Sequence, residues 1–189
     1  MTIRPIELSD ASDVQRYASD ARLARTCNVP HPYPQDGGEQ FVRRSVDVRR
    51  NRERFPSAVL LDGEFVGIVG LNEPDLENPT VECDYWIGVP FWGKGICTKA
   101  VDLAVKYAFS DLHMQTVLSG CREGNTASIR VLEKNGFDEI DSVLATDTYG
   151  KKFKGERLCR FRLCKRDWIA RNTEQANGGA AERRRAPHS

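Results

Sequence analysis

The residues Trp92-Gly93-Lys94-Gly95-Ile96-Cys97-Thr98 carry the plainest chemical signal in the chain. They lie between an apolar, strand-like run (Val81 to Val89) and a helix-like run (Thr98 to Phe109). A glycine-bearing turn from strand into helix aims several backbone N–H groups at one point, and the helix dipole adds partial positive charge there. Gly93 and Gly95 have no Cβ to keep a ligand off the backbone. Such a turn suits a phosphate or pyrophosphate. A second group follows: Asn125-Thr126-Ala127-Ser128, then Glu133-Lys134-Asn135-Gly136-Phe137. The two together are far more specific than either half.

Period and punctuation give the elements that must hold these residues. Thr2 to Glu7 alternates as a strand, and Ser9 is placed to cap a helix running to about Asp20. Three prolines between Val29 and Pro34 force an extended loop that contains His31 and Tyr33. Asp36 with Glu39 reads as a capping box ahead of a helix with Phe41, Val42, Ser45, Val46 and Arg49 on one face. Asp62-Gly63 predicts a hairpin between strands at Ser57 to Leu61 and Glu64 to Leu71. Asn72 to Pro79 reads as loop and Thr80 to Val89 as the next strand. The helix after the glycine turn buries Ala100, Val101, Ala104, Val105 and Ala108. A β-branched run from Met114 to Gly120 precedes a helix from Asn125 to Asn135, closed by Gly136. Two late strands, Phe137 to Ala145 and Arg157 to Lys165, flank a basic loop.

At 189 residues, 40% hydrophobic and 29% charged, the chain is sized and composed for one soluble domain. The expected domain spans residues 1–168. Residues 169–189 read as a disordered tail, because Asn172 to Gly179 has little to bury and Glu182-Arg183-Arg184-Arg185 follows. No run nears ~18 consecutive apolar residues, so no membrane span is indicated. Met1-Thr2-Ile3-Arg4-Pro5 lacks an apolar signal stretch, and the expected compartment is the cytoplasm. The six cysteines form no C-x-x-C pair and read as free buried thiols, with no zinc-ligand spacing around the isolated His113. A net charge of +1 gives no strong field for nucleic acid. Arginines crowd residues 43–54, and Lys151, Lys152, Lys154 and Arg157 crowd a late loop. They form either solvated surface or a rim that attracts phosphate or an acidic substrate.

The glycine turn, with Tyr85-Trp86-Ile87-Gly88 before it and Asn125-x-x-Ser128-x-x-Val131-Leu132-Glu133-Lys134-x-Gly136-Phe137 after it, resembles the GNAT superfamily of acyl-CoA-dependent N-acyltransferases. Its phosphate loop, Arg/Gln-x-x-Gly-x-Gly/Ala, aligns with Trp92 to Cys97. A tryptophan in first place is similar to the ribosomal-protein N-terminal acetyltransferase branch, as is the Arg4-Pro5 start with Asp10 following. The resemblance covers Thr2 to Arg166. Three positions depart from it: Cys97 replaces Gly or Ala, Asp84 stands where glycine is frequent, and Lys99 where an acid is frequent. The resemblance implies a single α/β (α+β) domain, with a mixed, mostly antiparallel central sheet flanked by helices and a splayed central parallel pair. It implies that acetyl-CoA lies with its pyrophosphate on Trp92, Gly93, Lys94, Gly95, Ile96, Cys97 and Thr98. The pantetheine arm would pair with backbone near Ile87, and Asn125 and Ser128 would flank the arm.

The same resemblance nominates Glu82 as the general base, directly or through water, and Ser128 as the partner of the leaving thiolate. Period-2 alternation places Glu82, Asp84 and Trp86 on one strand face, where two carboxylates that close push one pKa upward, as a base needs. The demand on a base depends on the acceptor. At pH 7 a lysine side chain is neutral in roughly 0.04% of molecules, and an α-amine in roughly 14%. His31, Tyr33 and Asp84 are expected on the acceptor side, with the Val29 to Asp36 and Tyr149 to Gly155 loops shaping the pocket. The expected partners are acetyl-CoA and an amine, either a protein N-terminus, an amino acid or another small amine, with no nucleic acid and no membrane. A homodimer is compatible with the family. The alternatives are a non-catalytic acyl-CoA-binding module, transfer of a longer acyl group, and a covalent route through Cys97. A P-loop nucleotide site is disfavoured, because G-x-x-x-x-G-K-[ST] is absent.

Overall fold

Alternating apolar residues build one seven-stranded sheet in a computed structural model that describes residues 1–146 and 151–183. In chain order the elements are β1 (Thr2–Pro5), α1 (Ala11–Ala18), α2 (Ala21–Ala24), α3 (Gly37–Arg50), β2 (Ser57–Leu61), β3 (Glu64–Asp75) and β4 (Thr80–Ile87). Then follow α4 (Ile96–Ser110), β5 (Thr116–Arg122), α5 (Thr126–Lys134), β6 (Asp138–Leu144), β7 (Arg157–Cys164) and α6 (Lys165–Arg183). The strand order is β1-β2-β3-β4-β5-β7-β6. Every pairing is antiparallel except β4 with β5, where α4 makes the crossover. This is the mixed, mostly antiparallel sheet with a central parallel pair that the sequence predicts.

Each face of the sheet has its own cover. Val81, Cys83 and Ile87 of β4 point to the face under α4, whose predicted stripe Ala100, Val101, Ala104, Val105 and Ala108 is fully buried there. Small residues on that stripe let the helix lie close to the strands. On the opposite face α1 and α3 place Val14, Tyr17 and Val42 against Ala58, Phe65 and Ile68, with Trp86 alongside. The β2–β3 turn has the backbone that Asp62-Gly63 predicts, with positive φ at both residues (52° and 89°).

Four details differ from the sequence reading. The first helix is organised by Asp10 rather than Ser9. The Asp10 carboxylate accepts the Glu7 N–H at 2.8 Å and both ends of the Arg4 guanidinium at 2.7 and 2.8 Å, while only 3% exposed. A charged side chain can be buried there because three donors meet it. Asp36 does not cap α3 with its side chain. It accepts from Gln40 instead, while Glu39 pairs with Arg43 one turn on. β3 continues to Asp75, because Asn72 and Asp75 find partners on β4. Last, the segment read as a disordered tail is helix as far as Arg183. Lys165 donates to the Phe109 carbonyl at the end of α4 at 2.6 Å, and Trp168 packs on the Phe109 ring at 5.5 Å. These contacts start the helix from the core, a tertiary effect that polar composition does not reveal. Residues 184–189 lie outside the described residues.

The Arg4–Asp10 pair ties the first strand to the first helix, so removing one partner strands the other charge. Asp10→Ala is expected to cost about 3 kcal/mol, read as a lower urea midpoint with an unchanged slope. A midpoint within error of wild type would show that the pair does not hold this corner.

Candidate functional site

Pairing between β4 and β5 runs only from Thr80↔Thr116 to Glu82↔Leu118. Beyond that point β4 stays with β3 as far as Ile87, and β5 stays with β7 as far as Arg122. The two central strands therefore part. Ser119 bridges the fork, its buried hydroxyl donating to the Cys83 carbonyl at 2.8 Å. The Gly88 N–H bonds the Val66 carbonyl at 2.8 Å. By antiparallel alternation Trp86, Asp84 and Glu82 then turn their backbone groups to β3, and Cys83, Tyr85 and Ile87 turn theirs toward β5. Past the fork the groups of Tyr85 and Ile87 face the gap. The Trp92 indole N–H takes the Ile87 carbonyl at 2.6 Å. An extended ligand bearing amides has the Ile87 N–H and both Tyr85 groups left to pair with.

The glycine turn stands at the open end of this gap. Gly93 and Gly95 have φ of 74° and 73°, and Gly95 is the N-cap of α4 without any capping side chain. A Cβ on either glycine would meet no protein atom within 4 Å. Left-handed backbone, not crowding, is what requires glycine here, and the amides of the first helical turn stay uncovered. The Ile96 side chain is in the core, so only its backbone can face a ligand. The Lys94 ammonium lies over the Phe91 ring, 5.6 Å from its centre. Lys99 is exposed and paired with Asp102, as expected of a solvent-facing position. Cys97 is half-buried, and burial pushes its thiol up to about 12, so it holds its proton at neutral pH.

Carboxylates gather on one face of the fork. Glu82 is half-buried, and its carboxyl is raised above the ordinary range, first by desolvation and then by Asp84 and Glu73, against the pull of Arg160 and Arg54. Asp84 is exposed as a residue, yet desolvation of its carboxyl by the surrounding protein raises it too. Asn72 hydrogen-bonds it from β3. Gly70, directly opposite in register, leaves its room: a Cβ there would collide with Asp84 Oδ1. The departure from glycine at 84 is thus matched by a glycine across the strand pair.

On the other face the Tyr85 and Ser128 hydroxyls lie 2.8 Å apart, joining β4 to the first turn of α5. Burial holds the Tyr85 phenol well above its usual range, so it stays protonated. Tyr85 is the functional candidate that sequence reasoning passed over. Its alternation against Glu82 and Asp84, which turns it toward α4 and α5, was the available signal.

The segment of residues 24–29 is stapled by side chains distant in sequence. Asn125 caps α5, accepting the Ser128 N–H at 3.2 Å, and its amide nitrogen donates to the Thr26 carbonyl at 3.1 Å. Arg122 donates to the Arg25 carbonyl at 2.5 Å. Lys152 donates to the carbonyls of Ala24, Cys27 and Val29. Both ends of the Asn125 side chain are therefore engaged by the protein. His31 is exposed, and Tyr33 is half-buried with its ring against Gly37. Neither bonds Glu82 or Asp84 among the described residues, whereas Cys27 lies within electrostatic reach of Asp84. Of the Tyr149 to Gly155 loop, residues 147–150, Tyr149 included, lie outside the described residues.

The family model for the acetyltransferase (GNAT) domain matches residues 1–138. The chain is 28% identical over 166 residues to the spermidine N(1)-acetyltransferase of Escherichia coli (strain K12), with 84% of each chain covered. It is 25% identical over 108 residues to the ribosomal-protein-serine acetyltransferase of the same organism, covering 52% of this chain and 60% of that one. Among solved structures, the spermidine N-acetyltransferase of Vibrio cholerae in complex with CoA and spermine shares the fold, with a TM-score of 0.76 at 15% identity over 89% of this chain and 97% of that one. No described helix is long and apolar enough to cross a membrane. With its forked central pair and bare glycine turn, the chain belongs to the GNAT family and is an acetyl-CoA-dependent N-acetyltransferase.

Proposed function

We propose that this enzyme acetylates a primary amine by direct attack on the thioester, the acceptor being a small polyamine-like molecule, an amino acid or a protein N-terminus. The observation that carries the reading is the pair of desolvated carboxylates, Glu82 and Asp84, on one face of the fork, opposite the Tyr85–Ser128 hydroxyl pair. A cationic amine approaching from the carboxylate face is attracted and then loses its proton toward Glu82, directly or through water. The amine nitrogen attacks the carbonyl carbon, the C–S bond breaks, and the thiolate takes a hydrogen bond from Ser128, backed by the protonated Tyr85. Serine alone is a weak acid and burial keeps the Tyr85 phenol protonated, so the pair acts by hydrogen bonding to the thiolate rather than by handing over a proton. Holding amine and thioester together between fixed walls supplies much of the rate. The spermidine and ribosomal-protein acceptors named for the relatives support an amine as the acceptor class.

Thiol release from acetyl-CoA, followed across a panel of polyamines, amino acids and peptides with free N-termini, tests this reading. At least one class should turn over, with a rate that rises with pH through a value above the ordinary glutamate range. Glu82→Gln should lose about 10²-fold and flatten that limb. The linkage has a definite sign. A carboxyl raised in the fold favours its protonated form, so its stabilisation is complete below the unfolded value and is lost as pH rises through the folded one. Glu82→Gln should therefore raise the urea midpoint at neutral pH. A variant with full activity and an unchanged pH profile would remove Glu82 from the reaction.

Two further variants separate the parts. Cys97→Ala should keep turnover within about twofold, because a thiol held protonated is a poor nucleophile. Total loss with intact folding and CoA binding would point to an acyl-cysteine. Gly95→Ala should cost roughly 1 kcal/mol of stability from its left-handed φ. The same variant should weaken CoA binding more than tenfold by calorimetry. Unaltered affinity would place the pyrophosphate elsewhere.

A further inference from the structure

Away from the fork, β1, the start of β2, the end of α3 and the C-terminal half of α4 meet around a cavity of about 220 Å³. Its lining shares no residue with the glycine turn or the carboxylate pair. Arg49 stands there in the last turn of α3, where the helix dipole favours a cation. It is nevertheless half-buried with no carboxylate partner among the described residues, and its one hydrogen bond there is a 3.4 Å contact with the Pro56 carbonyl. The Ile6 N–H shares that carbonyl at 3.4 Å. A sheltered charge so poorly matched is costly unless a counter-charge completes it. Phe55 fixes the geometry from behind. The guanidinium lies over its ring at 5.6 Å, and the Tyr107 ring meets it edge-on at 6.2 Å. Lys106 adds a second cation with no carboxylate partner among the described residues, whereas Arg4 is held by Asp10. Ser57 is buried, and its hydroxyl opens onto the cavity with no bond among the described residues. Asp111 is the carboxylate among the described lining residues.

We propose that this cavity binds a short-chain monocarboxylate, with Arg49 and Lys106 on its carboxylate and the apolar rim of Ile3, Leu103 and Tyr107 around its hydrocarbon end. Two uncommitted cations against the single carboxylate of Asp111 leave one positive charge to be matched, which calls for a monoanion. The guanidinium fork pairs with a carboxylate through two parallel hydrogen bonds, and the ammonium adds a point charge. The Ser57 hydroxyl supplies a further donor. A phosphate dianion fits less well, because its second charge meets Asp111 and it has nothing to set against the apolar rim. The site is a second binding function of the chain, separate from the gap in which acetyl transfer takes place.

Magnetic-resonance titration of the isotope-labelled full-length enzyme with sodium butyrate, at constant ionic strength, tests the assignment. A small ligand with few contacts should give saturable shifts with a dissociation constant of about 1 mM, and inorganic phosphate should bind roughly fivefold more weakly. Arg49→Gln and, separately, Lys106→Gln should each weaken butyrate about tenfold. Lys106 is exposed, so its variant guards against a failure of Arg49→Gln to fold. Both variants should bind coenzyme A as wild type does, and saturating coenzyme A should leave butyrate binding unaltered. Displacement of butyrate by coenzyme A would put the carboxylate in the cofactor gap and overturn the assignment. So would the lack of a saturable shift, folded variants that bind butyrate as tightly as wild type, or phosphate binding tighter than butyrate.

Discussion

A parallel strand pair that stops pairing after Glu82 and Leu118 is the constraint on which the rest of this structure depends. Ordinarily, ending a ladder in mid-sheet strands backbone polar groups, and each buried one costs free energy comparable to a lost hydrogen bond. Here the cost is met group by group. Ser119 satisfies the Cys83 carbonyl at the fork, and the Trp92 indole satisfies the Ile87 carbonyl at the mouth. The groups between them are left for a ligand. The gap is open because its two ends are closed by specific side chains, and both of those donors lie outside the strand whose carbonyls they serve.

The fork also sorts the chemistry. Strand alternation through it puts carboxylates on one face and hydroxyls on the other. Desolvation works in the same direction on both faces: it keeps the phenol of Tyr85 protonated and lifts Glu82 toward the range where a carboxylate is an effective base. The protein tolerates an acidic pair at this spot through local compensation, with Gly70 yielding space and Asn72 donating to Asp84.

Much of this is legible in the sequence. The Asp62-Gly63 hairpin, the apolar stripe of α4, the Asn125 cap and the left-handed Gly136 are local properties, and each is where spacing and residue type put it. The glycine turn was legible for the same reason. What was not legible depends on partners distant in sequence. Lys152 sits over a hundred residues from the carbonyls it binds. Trp168 and Lys165 convert a polar C-terminal stretch into helix through a single contact region on α4. The Tyr85–Ser128 bond joins two motifs that were each visible alone, but the pairing appears only when the fork brings them within 2.8 Å.

The stapling of residues 24–29 fixes a stretch of irregular chain through its backbone alone. Arg122, Asn125 and Lys152 grip that segment entirely through its main-chain carbonyls, and no side chain of the segment takes part in those bonds. The contour of the segment is therefore fixed through its main chain. Exposed Arg25 can change without disturbing that grip, whereas Ala24 is buried and the Thr26 and Cys27 side chains bond back to the Leu23 carbonyl. Side-chain change on this segment and the main-chain grip that holds it are thus separately constrained.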